Sequence, residues 1–165
     1  MAAVVEIHVY NGSPIADAGA LVSGIDLISA DNADNTPANR IAHPLTIGQR
    51  SYEKWLKPHV TTDPDNWIGQ FKVWGDGAVD ANTQLLYGTT AVGAAPTMNP
   101  SSVAVNDFTT AVVATKAPWD LNIKTPAQLA VDETFNYLVL QLAVGASATP
   151  GDWTTETIYY EYQEA

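Results

Sequence analysis

The chain has 165 residues, 7 Lys and Arg against 18 Asp and Glu, a formal charge of −11 and no cysteine. That length fits one domain with a core that needs no disulfide or metal staple, and the missing cysteine excludes a thiolate zinc site, an iron–sulfur cluster and a cysteine nucleophile. The acidic excess argues against binding nucleic acid or anionic lipid, while 46% hydrophobic residues is too many for a disordered acidic tail.

Strand signals dominate in chain order. Val5, Ile7 and Val9 alternate with Glu6, His8 and Tyr10, which predicts a first strand with one apolar face. Asn11-Gly12-Ser13-Pro14 closes it with turn residues. Residues 14–23 suggest a short helix, and 25–30 a short strand. Residues 41–47 read as an edge strand, because Pro44 cannot donate to a ladder. Trp55, Lys57, His59 and Thr61 alternate with Leu56 and Val60. The next strand, 67–74, places Trp67, Phe71 and Val73 on one face and Lys72 on the other, and it stops at Gly75-Asp76-Gly77, a turn that calls for positive φ. Further strands are predicted over 84–88, 107–115, 135–144 and 157–163. In the last, Ile158, Tyr160 and Tyr162 share one face. Thr125-Pro126-Ala127-Gln128 has the form of a helix-capping box and predicts one or two helical turns. The expected fold is therefore all-β: a single antiparallel β-sandwich or jelly-roll-like domain over residues 1–165, with one or two short helical turns.

Residues 89–106 form a long uncharged loop with two prolines. Long loops of this kind are often functional. It either packs across one end of the sandwich or serves as a docking arm, with Val92, Met98 and Val103 as its apolar contacts. The charge is also unevenly placed. Residues 1–39 hold five acids and no base, the middle is neutral, and residues 125–165 hold six acids and no base. This is either a solubility device or, if the two ends lie together, an acidic surface for a basic partner.

Motifs for chemistry are missing. No G-x-S-x-G, S-x-x-K, P-loop, H-E-x-x-H or G-x-G-x-x-G spacing occurs. His8, His43 and His59 are far apart in sequence and would need to converge in space to hold a metal. The acid pairs Asp31/Asp34, Asp63/Asp65 and Asp76/Asp80 do not follow the EF-hand pattern, and Asx turns account for them. We expect no enzyme activity, no cofactor and no metal. The N-terminus has no basic region before its apolar residues and reads as a strand, not a signal peptide, so folding in the cytosol is expected. No stretch has the length and apolarity of a membrane span.

Five tryptophans remain informative. Trp55 and Trp74 lie on the strand phases that carry Lys57 and Lys72, while Trp119 and Trp153 follow turn residues. With Glu156 and Glu161 near the acidic C-terminus, these are candidate interface residues, since Trp is a common anchor at interfaces. An alternative is a carbohydrate-binding module with Trp74, Trp55 or Trp153 stacking on sugar rings.

The segments Ser51-Tyr-Glu-Lys-Trp-Leu56, Thr61-Thr-Asp-Pro-Asp65, Ile68-Gly-Gln-Phe-Lys-Val-Trp-Gly-Asp-Gly77 and Thr157-Ile-Tyr-Tyr-Glu-Tyr162 resemble small all-β structural proteins of tailed bacteriophages. The resemblance covers about residues 45–90 and 150–165. It implies a virion component assembled in the host cytoplasm, such as a capsid decoration (cement) protein or a tail or baseplate part. The implied partners are a major capsid protein, other virion proteins and further copies of the chain. No individual functional residue transfers with the resemblance, because such proteins act through interfaces.

Overall fold

A computed structural model describes residues 2–11, 20–21, 24–31, 36–77, 82–108, 111, 114–129, 135–149 and 156–165. The strands are β1 (Val4–Tyr10), β2 (Ala20–Leu21), β3 (Lys54–Thr62), β4 (Ile68–Gly75), β5 (Thr83–Thr90), β6 (Asn106–Asp107), β7 (Ala117–Lys124), β8 (Tyr137–Val144) and β9 (Ile158–Glu164). Two short helices, α1 (Pro37–Ala42) and α2 (Pro126–Leu129), complete the regular structure among the described residues. A six-stranded sheet has the order β2-β1-β3-β8-β5-β6, and a three-stranded sheet the order β7-β4-β9. All pairings are antiparallel, and the two sheets pack as a β-sandwich, as the alternating sequence predicts.

The core lies between the sheets. Val9, Leu56, Leu85, Leu138 and Leu140 of the larger sheet meet Ile68, Phe71, Val73 and Trp119 of the smaller. Phe71 sits at the centre, with its ring 4.8 Å from Phe135 and 5.5 Å from Tyr162. A second apolar cluster of Tyr10, Trp55, Leu86, Ala104 and Val139 forms on the opposite face of the larger sheet. Residues 91–105 run over that face as a strap. β8 is thus apolar on both phases because both of its faces are covered.

The structure corrects several expectations. Residues 37–42 are helical, not an edge strand: Thr36 accepts from Asn39 N, and Pro37 occupies the first turn, where its missing N–H costs nothing. Residues 24–28 form no strand, and the Ile28 carbonyl instead accepts from Tyr52 N. Of the helix expected at 14–23, Ala20 and Leu21 are described, and they pair with β1. Strand 107–115 shrinks to β6, after which Phe108 turns fully into the core. β7 was not anticipated. It begins Ala117-Pro118 and lacks two-residue alternation, but it is an outer strand of its sheet, where proline is tolerated. The helix at Thr125 forms as expected, with Gln128 Oε1 accepting from Thr125 N at 2.9 Å.

A bulge in β4 changes one inward assignment. Gln70 has φ +56°, and the register with β7 and β9 shifts between Gly69 and the residues that follow. The extra residue puts Ile68 in phase with Phe71, both fully buried, and moves Trp67 out of that phase. Trp67 is half-buried, and its backbone exchanges two hydrogen bonds with Ala165. Gly69 is required beside the bulge, because a Cβ there would collide with the Asn122 carbonyl and Ile123 Cα of β7.

Candidate interaction surfaces

The strap is fastened by polar side chains that the apolar pattern had hidden. Gln141 projects from β8 and is fully buried. Its Nε2 donates to the carbonyls of Ser51 (3.1 Å), Thr97 (3.2 Å) and Asn99 (2.8 Å). Its Oε1 accepts from Ser101 N (3.1 Å) and Arg50 Nη1 (3.2 Å). Glu53, also buried, accepts through Oε2 from Trp55 Nε1 (3.1 Å) and Thr97 N (3.2 Å). Ser101 Oγ then accepts from the amides of Val103 and Ala104 and turns the strap back onto the sheet. The strap could approach β5 because Gly88 has no side chain: a Cβ there would strike the Val103 carbonyl.

This arrangement relocates three interface candidates. Trp55 points to the outer face, as its phase predicts, but it is 1% exposed because the strap covers it. Val103 and Met98 belong to the strap and are half-buried, and Val103 packs on the second cluster. Val92 remains at the surface, 74% exposed. Trp119 is also a correction: it is 2% exposed within β7, packs on Phe71 and donates its indole N–H to Asn136 O at 2.8 Å. Trp153 lies outside the described residues. Of the tryptophans offered for sugar stacking, Trp55 therefore has no open ring face.

The outer face of the three-stranded sheet carries Trp74 in a cross-strand row. Lys116 Nζ lies 4.5 Å over its ring, and Tyr159 stacks 5.7 Å away with planes 17° apart. The next row holds Pro118, Lys72 and Glu161, which are register partners across β7, β4 and β9. Glu161 also accepts a charge-assisted hydrogen bond from Lys116. Leu121 and Ile123, both about half exposed, continue the surface along β7. Trp74 and Glu161 are thus brought together as the sequence reading needed, with Lys116 and Tyr159 as additional members.

Glu156 lies apart from this row, beyond the start of β9. Its Oε1 accepts from Gly77 N at 3.4 Å. Burial, followed by the charge of neighbouring Asp76, pushes its carboxyl above the ordinary glutamate value. Asp76 itself accepts from Thr157 N at 3.1 Å, closing the turn after β4.

At the other end of β9 the two chain termini meet. Glu164 Oε2 accepts from Ala3 N at 2.6 Å, Tyr162 OH donates to Ala3 O at 3.2 Å, and Tyr160 OH donates to Val5 O at 3.2 Å. The two acidic, base-free ends of the sequence therefore lie side by side. Asp65, Glu164 and Ala165 border a shallow open hollow of about 280 Å³ with Ala2 and Pro64.

The imidazoles of His8 and His59 stack at 4.5 Å on the outer face of the larger sheet, where His8 Nε2 is 3.3 Å from Glu6 Oε2. His43 is elsewhere, at the C-terminus of α1. Among the described residues no three His, Asp or Glu side chains are grouped as metal ligands would be. Among them, too, no helix is long and apolar enough to cross a membrane. No family model matches the chain, and searches of curated proteins and solved structures found no match either.

Proposed function

We propose that this β-sandwich is a structural protein of a tailed-phage virion, a capsid decoration protein that binds the outside of the head through protein–protein contacts. The observation that carries this reading furthest is the meeting of β1 and β9. It joins two acidic segments into one side of the molecule, and a rigid sandwich with one charged side docks in one orientation on a basic patch. The row of Trp74, Tyr159, Lys116 and Glu161 supplies a second surface of the aromatic-and-charged kind found at interface anchors. On a repeating shell each contact can be weak, because avidity multiplies it.

The test is cosedimentation of the purified chain with virions stripped of it. Binding that weakens as salt rises is expected, since exposed charge pairs are screened. Glu6→Gln, Asp65→Asn and Glu164→Gln together should lower occupancy, whereas Trp74→Ala should lower it at all salt concentrations. A chain that never accompanies particles would overturn the virion role. Full occupancy by the triple variant would return the acidic ends to a solubility role.

A further inference from the structure

β1 has one side paired along its length and the other only partly covered by backbone. β3 pairs with it from Val4 to Tyr10, while on the second side β2 reaches only His8 and Val9. Thr61 of β3 donates its hydroxyl to Val4 O at 3.3 Å, so that carbonyl faces β3. Peptide groups alternate in direction along a strand, so the carbonyls of Ala3 and Val5 face away from β3. An edge that presents N–H and C=O groups in this way is a template for another strand.

Three of these edge groups are occupied by side chains of β9. Glu164 takes the Ala3 N–H, Tyr162 caps the Ala3 carbonyl and Tyr160 caps the Val5 carbonyl. The two tyrosines are spaced by two residues, like the two carbonyls, so hydroxyls and acceptors match in register. Burial pushes both phenols above the ordinary tyrosine value, which keeps them hydrogen-bond donors across the neutral range.

We propose that Tyr160, Tyr162 and Glu164 form a latch that closes the Ala3–Ile7 edge of β1, and that the strand it excludes is β1 of a second copy of this chain. The edge itself points to this occupant. Antiparallel pairing of Ala3–Ile7 with its own copy is two-fold symmetric, the commonest form of homo-association. The segment Ala-Val-Val-Glu-Ile is rich in β-branched residues and has one charge. With pairing centred on Val5, Glu6 meets Val4 of the other copy and not its own negative counterpart. Freed of the latch, two larger sheets would join edge to edge through β1.

The full chain carrying Tyr160→Phe, Tyr162→Phe and Glu164→Ala tests this. The rings stay, including that of Tyr162 beside Phe71 in the core, and only the edge-capping groups are lost. Sedimentation velocity is expected to show self-association tightened by about tenfold or more over the parent chain. Hydrogen exchange at Ala3 and Val5 should be slow in the associated species and fast in the dissociated one. Association equal to the parent's would overturn the proposal, as would association that leaves those two amides fast. Should the triple variant not fold, Glu164→Ala at its exposed position exposes the Ala3 N–H, and the same two readings decide.

Discussion

Gln141 shows how much one residue can decide. A primary amide in the middle of a strand as apolar as Tyr-Leu-Val-Leu-Gln-Leu-Ala-Val is a visible anomaly in the sequence, and buried amides are retained when their groups are satisfied. Its partners, however, come from Arg50–Ser51 and from residues 97–101, distant in sequence, so no local pattern could name them. Gln141→Leu should cost ~2–5 kcal/mol in urea unfolding, because three carbonyls, an amide and a guanidinium lose a buried partner together. Glu156 offers the opposite case. Its folded-state pKa is raised by burial and by Asp76, so its contribution is favourable at pH values below the ordinary glutamate value and is lost as pH rises through the raised one. Glu156→Gln should therefore raise the melting temperature at neutral pH, with the difference shrinking towards acid pH. A thermal-melt series across that range measures it.

At the scale of elements, period and capping were reliable where each element is shaped by its own residues. β1, β3, β8 and β9 follow their alternation, and α2 follows its Thr125–Gln128 box. Elements shaped by neighbours were not legible. β7 exists because β4 offers it a ladder, and the Gln70 bulge shifts a phase that the sequence alone continues through Trp67. The strap is the clearest instance: 91–105 is loop by composition, yet its course is set by Gln141, Glu53 and the missing side chain of Gly88. Gly88→Ala should lift the strap from β5, at a cost of ~1–3 kcal/mol for overpacking. Since Trp55 lies beneath it, a red shift in tryptophan emission in the native state should accompany the loss, and unchanged emission would show that the strap yields without moving.

For the whole molecule, the first and last strands close the sandwich against each other. Pairings of β3 with β8 and contacts of β1 with β9 span most of the chain, so the fold is rich in long-range contacts and is expected to fold slowly for its size. Deleting residues 158–165 removes one flank of β4 and uncovers Phe71, and the shortened chain should lose the cooperative urea transition monitored by tryptophan fluorescence. A retained sharp transition would show that the core stands without β9.

The sequence by itself determined the all-β class, the apolar phases of the main strands and the segregation of charge to the two ends, because these depend on composition and on a two-residue repeat. Only the tertiary structure decided that the ends meet, that Trp55 and Trp119 are buried while Trp74 stays at the surface, and that β9 closes the edge of β1. Each of those outcomes depends on which distant segment covers a given face, and coverage is a property of the assembled sheets that no local pattern encodes.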